Sequence, residues 1–110
     1  GRTSPMTKRY YSDAVDSNLA VTASVTAQNT FTEATEFDYR RPFNVSISGS
    51  WSATVVLQRS FDGGSNWFTV GSYTSNQELV VDTVEPGVLW RCGVLTGGFT
   101  SGTVVIRVSQ

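Results

Sequence analysis

Histidine is absent from the 110-residue sequence, and cysteine occurs once, at Cys92. The first absence removes Ser-His-Asp and Cys-His catalysis and histidine metal sites. The second removes an intrachain disulfide, a thiolate metal cluster and a dithiol redox pair. Cys92 stands in the apolar run of residues 88–95, where a thiol reads as buried and inert. Lysine is nearly missing as well: of the eight basic residues only Lys8 is not arginine. Charged residues make up 15% of the chain and the net charge is −1, so there is no long-range positive field to draw in nucleic acid or an anionic membrane. No apolar stretch is long enough to span a bilayer, and the first residues lack the apolar run of a secretory signal. These absences predict a soluble protein with no catalytic, cofactor or metal site.

What is present points to β structure. Hydrophobic residues are 39% of a chain with ten glycines, and the apolar positions are mostly valine among serine and threonine. Low charge with β-branched residues favours an all-β domain over helices or disorder. The length suits one domain with a single core. Residues 1–18 are polar and aperiodic and read as a flexible arm; residues 19–110 carry the periodic pattern.

The most legible stretch is residues 54–73. Val55, Val56 and Leu57 lead into Asp62-Gly63-Gly64, which tolerates positive φ, and Trp67, Phe68 and Val70 lead out, a hairpin signal. Ser60, Asp62, Gly64 and Trp67 together resemble the Asp-box hairpin of sialidase-type propellers. That resemblance implies a structural role, in which the aspartate bonds the turn backbone and the tryptophan packs under the hairpin. The phrase occurs once, with Asn66 in place of the usual Ser/Thr, so it does not extend to a propeller enzyme. A calcium site at Asp62 and Asn66 is disfavoured, since one carboxylate in a glycine turn caps that turn.

Around the hairpin the pattern predicts further short strands. Residues 19–25 alternate Leu19, Val21, Ala23 and Val25. Residues 29–37 put Phe31, Glu33, Thr35 and Phe37 on one side, with Glu33 and Glu36 as solvated edge charges. Asp38-Tyr39-Arg40-Arg41-Pro42 marks a corner, and Phe43, Val45 and Ile47 form a strand that ends in a turn at residues 49–52. Residues 77–84, 88–95 and 103–108 complete the set, with turns at Glu85-Pro86-Gly87 and residues 97–102. About eight strands at ten-residue spacing predict a two-sheet antiparallel β-sandwich, immunoglobulin-like or jelly-roll, with an extended N-terminal arm. The predicted core is Phe43, Val45, Ile47, Val55, Leu57, Trp67, Val70, Val81, Leu89, Trp90, Val104 and Ile106.

The run from Phe43 through Trp51 and on to Leu57-Gln58-Arg59-Ser60-Phe61-Asp62-Gly63-Gly64-Ser65-Asn66-Trp67 resembles β-sandwich proteins of tailed-bacteriophage virions, over about residues 42–110. The resemblance implies a non-enzymatic virion protein, above all a head decoration or cement protein that clamps the capsid from outside, with neck or tail parts as an alternative. The implied partners are the major capsid protein or other virion proteins, with a homotrimer as one assembly, and the implied location is the virion. Lys8, Arg9, Tyr10 and Tyr11 in the arm and Arg40 and Arg41 at the corner are the candidate partner-binding residues, because they combine rigid aromatic area with cations. A carbohydrate-binding module is the rival of a different class, with Trp51, Trp67, Tyr73 or Trp90 stacking on sugar rings.

Overall fold

The alternation of valines with serines and threonines resolves into strands throughout. The computed structural model describes residues 7–9 and 19–110. In chain order the strands are β1 (Thr7–Arg9), β2 (Ala20–Val25), β3 (Thr30–Phe31), β4 (Ala34–Glu36), β5 (Phe43–Ala53), β6 (Val55–Ser60), β7 (Phe68–Tyr73), β8 (Gln77–Val81), β9 (Leu89–Val94) and β10 (Phe99–Ser109). One sheet runs β1-β4-β9-β6-β7, with β3 also paired to β9; the other runs β2-β10-β5-β8. Pairing is antiparallel except where β1 lies parallel to β4, Thr7 opposite Ala34. The protein is an all-β sandwich of two sheets. No helix among the described residues is long and apolar enough to cross a membrane.

The core lies between the sheets. Phe43, Val45 and Ile47 of β5 and Val104, Ile106 and Val108 of β10 face Val55 and Leu57 of β6 and Trp90, Cys92 and Val94 of β9, all closed to solvent. Phe43 sits at its centre, stacked on Phe37 at 4.5 Å and tilted against Trp90 at 4.8 Å. The Trp90 indole donates to Thr83 Oγ1 at 3.2 Å, which satisfies the one polar atom this ring brings inside. Burial pushes the Cys92 thiol up to about 12, consistent with an inert core residue.

Three expectations are corrected. Residues 49–52 do not turn: β5 runs on to Ala53 beside an equally long β10. Gly49 and Gly102, both at positive φ, let the two backbones approach where a Cβ would stand 2.5 Å from the Thr103 oxygen or 2.3 Å from that of Ser50. Phe31 and Phe37 do not share a face. Thr32 and Thr35 are both buried although three residues apart, so one extra residue flips the phase between β3 and β4. Thr32 fills this break by donating its N–H to the Cys92 carbonyl at 2.9 Å and accepting the Cys92 N–H on Oγ1 at 3.1 Å. Finally, Trp67 and Val70 do not join the core. A register shift between Leu57 and Gln58 leaves Val70 without a partner on β6, at 44% exposure, and Trp67 lies on the outer side of its sheet.

Candidate functional site

The hairpin turn is built from side chains bonding their own backbone. Ser60 Oγ accepts the Gly64 N–H at 2.9 Å and donates to Asp62 Oδ1 at 2.7 Å. Asp62 also accepts the Asn66 N–H at 2.9 Å and the Asn66 side-chain amide at 2.7 Å. The backbone N–H of Asn66, with Ser60 and the Asn66 amide, holds the Asp62 carboxyl well below the usual range, at about 2. Both oxygens of Asp62 are therefore engaged inside the turn. Among the described residues no three metal-ligating side chains come together. Trp67 closes the loop over Gly64, whose Cβ position lies 3.6 Å from the indole.

From there the indole reaches across the outer face of the sheet. The Arg91 guanidinium lies between two rings, 3.8 Å from the centroid of Phe31 and 4.3 Å from that of Trp67. Both rings arrive by local necessity: Phe31 is opposite Gly93, which has no side chain to displace it, and Trp67 is set by the turn. Arg91 Nε donates to Gln58 Oε1 at 2.8 Å, and Gln58 Nε2 donates to Thr69 Oγ1 at 3.0 Å. Burial of the guanidinium lowers its pKa below the ordinary arginine value, and an arginine stays charged regardless.

On the opposite face of the same strands, Arg59 stands over Phe61 at 5.1 Å and Trp90 at 5.9 Å. Its Nε is buried with no hydrogen-bond partner. Phe61 and Phe68, about half exposed, tilt against each other at 6.1 Å beside it. Phe68 lies on β7, the last strand of its sheet, where Val70 is exposed as well.

The corner is different. Asp38 accepts Arg40 Nε and Nη2, each at 2.8 Å, with Arg41 Nε at 3.8 Å from the same carboxylate. Gln110 clasps the corner by accepting the Asp38 N–H at 2.8 Å and donating to the carbonyls of Asp38 and Arg41 at 2.8 and 3.0 Å. Hydrogen bonds from the Arg40 side chain and backbone hold the Asp38 carboxyl at about 2. Glu36, read as an edge charge, accepts the Gly87 N–H at 2.8 Å.

The predicted partner-binding residues thus separate. Arg40 and Arg41 sit together on Asp38, exposed on their outer sides. Lys8 and Arg9 lie in β1, but their side chains, and all of Tyr10 and Tyr11, are outside the described residues. Ser60, Asp62, Gly64 and Trp67 assemble as one hairpin. Of the tryptophans, Trp90 is buried. Trp51, its indole donating to Asn76 Oδ1 at 2.8 Å, lines an open groove of about 330 Å³ with Ser52, Thr54, Thr74 and Thr100. Arg59 and Arg91 are site residues that sequence reasoning misses. The signal is partial: Arg91 interrupts the apolar run of residues 88–95, and Gln58 and Arg59 follow directly on Val55-Val56-Leu57. No family model, curated protein or solved structure matches the chain.

Proposed function

We propose that the chain is a non-enzymatic structural protein of a bacteriophage virion, a head decoration protein that binds the outer capsid surface and stabilises the shell. The observation that carries this reading is the phrase through Leu57-Gln58-Arg59-Ser60-Phe61-Asp62-Gly63-Gly64-Ser65-Asn66-Trp67, which resembles virion sandwiches. It folds as a hairpin whose turn residues Ser60, Asp62 and Asn66 spend their polar groups on one another and on the turn backbone. Such a domain acts by contact, and each copy that buries surface across a capsid joint adds a modest stabilisation that symmetry multiplies. The sandwich supplies the rigid body, and in this reading the contacts come from residues 1–18, of which Thr7–Arg9 pair with β4, and from the corner at Arg40 and Arg41. Major capsid protein is the partner, with a trimer at three-fold joints as the assembly.

Imaging particles made with and without this chain tests the proposal. Outer capsid density that disappears with the chain, and shells that then disrupt at lower temperature, are expected. Density confined to the neck or tail would move the protein there, and unchanged particles would end the virion reading. Deleting residues 1–17 should weaken capsid binding; undiminished binding would remove the arm from the interface. A second reading, glycan binding, is favoured by the Trp51 groove, whose lining is rich in hydroxyls. Its test is a glycan array, with Trp51→Ala abolishing any signal.

A further inference from the structure

The surroundings of Arg91 differ from those of an ordinary structural arginine. Two rings stand against its guanidinium, Phe31 and Trp67, with their centroids 3.8 and 4.3 Å from Cζ. Its Nε is spent on Gln58, which is in turn held by Thr69. Nη1 and Nη2 make no hydrogen bond to the described residues, and neither is among the buried atoms left without a partner, so both reach solvent. Among the described residues no carboxylate lies within 4.0 Å of it. With two rings against it and Nε tied to Gln58, the guanidinium has its Nη edge left to offer a ligand. A carboxylate meets such an edge when its two oxygens take two parallel N–H bonds.

We propose that Arg91, clamped between Phe31 and Trp67, is a binding site for a carboxylate, contributed by an aspartate or glutamate side chain of a partner protein. The identification of the partner as a protein rests on the virion reading; the carboxylate chemistry does not. The ring edges of Phe31 and Trp67 border the approach and suit the methylene stem of an acidic side chain. The clamp fixes the cation beforehand, so less side-chain entropy is lost when the pair forms. Arginine flanked by aromatics is also the composition of an interface hot spot.

The test follows the Arg91 Nε–H resonance of the intact chain by NMR at constant ionic strength. The probes are N-acetylglutamate methylamide, glucuronate and inorganic phosphate, with N-acetylglutamine methylamide as the uncharged control. The glutamate probe is expected to move Arg91 saturably, while Arg40 and Arg107 move little. Trp67→Ala should weaken the response about three- to tenfold, the range of one cation–ring contact. Read instead at the indole N–H of Trp67, which borders the site, the glutamate response should be lost in Arg91→Lys while the core methyl spectrum stays that of the parent. No saturable movement, or equal movement of all arginines, would overturn the site. A response to glucuronate alone would overturn the protein side chain in favour of an acidic sugar, and one to phosphate alone would overturn the carboxylate. Capsid binding by Arg91→Lys is a separate readout. Unchanged capsid binding beside a positive titration would retire the virion partner and leave the carboxylate site standing.

Discussion

The corner at residues 38–42 and the outer face at Arg91 both hold arginines, and they use them in opposite ways. Arg40 is bound by two 2.8 Å hydrogen bonds to a carboxylate two residues away in its own chain, with Arg41 near the same group. Arg91 is bound by two rings and an amide, with no carboxylate within 4.0 Å among the described residues. At the corner the charge is matched locally, and the result is a shaped turn pinned by Gln110. On the outer face the charge is positioned but unmatched. Local pairing makes structure; positioning without pairing leaves a group ready for a partner.

The largest way to break this contrast is to remove the outer face without touching its chemistry. Gly93→Ala puts a Cβ against the Thr30 carbonyl and the Phe31 ring. Neither can yield easily, since β3 is held to β9 there. The variant should lose about 1–3 kcal/mol of stability in denaturant titration, as overpacked sites do. Because β3 and Thr32 are held to the backbone of β9 at Gly93 and Cys92, loosening them should open that strand, and the thiol should become faster to label than in the parent. Unchanged labelling would mean that β3 is not what Gly93 admits.

Next comes Trp67→Ala, which strips one ring from the guanidinium and uncovers Gly64. A loss of about 1 kcal/mol is expected, the size of a partly exposed cation–ring contact with its packing. Trp67→Phe should recover most of it. A loss of several kcal/mol would instead place Trp67 in the core, contrary to its position outside the sheet.

That misplacement shows what the sequence could and could not reveal. Strand alternation was legible because a half-buried strand must show its buried face every second residue, and β2, β5 and β10 do so. The hairpin was legible because glycine at positive φ and an aspartate capping its own turn leave a local signature. Trp67 was not, since a register shift of one residue in β7 decides which side of the sheet it meets. Nor was Arg91. Its partners Phe31, Gln58 and Trp67 come from three other segments, and only the pairing of β9 with β3 and β6 brings them together. Arg40 and Arg41 drew notice as adjacent cations, yet the sequence gives no weight to Asp38 two residues before them.

Acid sharpens the comparison at smaller amplitude. Asp38 and Asp62 both titrate near 2 in the folded chain, below the ordinary 3.8, through the bonds from Arg40 and from Asn66 and Ser60. A lowered folded pKa contributes stability that is fully present above the unfolded value and is lost as pH falls through the folded one. Stability should therefore decline between pH about 4 and 2, as followed by urea midpoints. Asp62→Asn, which keeps an acceptor in the turn but no longer titrates, should flatten part of that decline.

The smallest effect, and the sharpest contrast, is expected from Arg40→Ala. At neutral pH the urea midpoint should fall only slightly, by the same amount that the acid limb loses, since the Arg40 side chain is 57% exposed and water screens such a pair. Its signature is in acid. Without its main partner Asp38 should titrate closer to 3.8, so less stability is left to lose between pH 4 and 2, and the curve becomes shallower there. Arg91→Lys, by contrast, should leave the shape of the acid limb unaltered, because no carboxylate of the described residues lies within 4.0 Å of Arg91. If Arg91→Lys flattened the limb as Arg40→Ala does, Arg91 would be paired with an acid inside its own chain. The two regions would then be using their arginines alike.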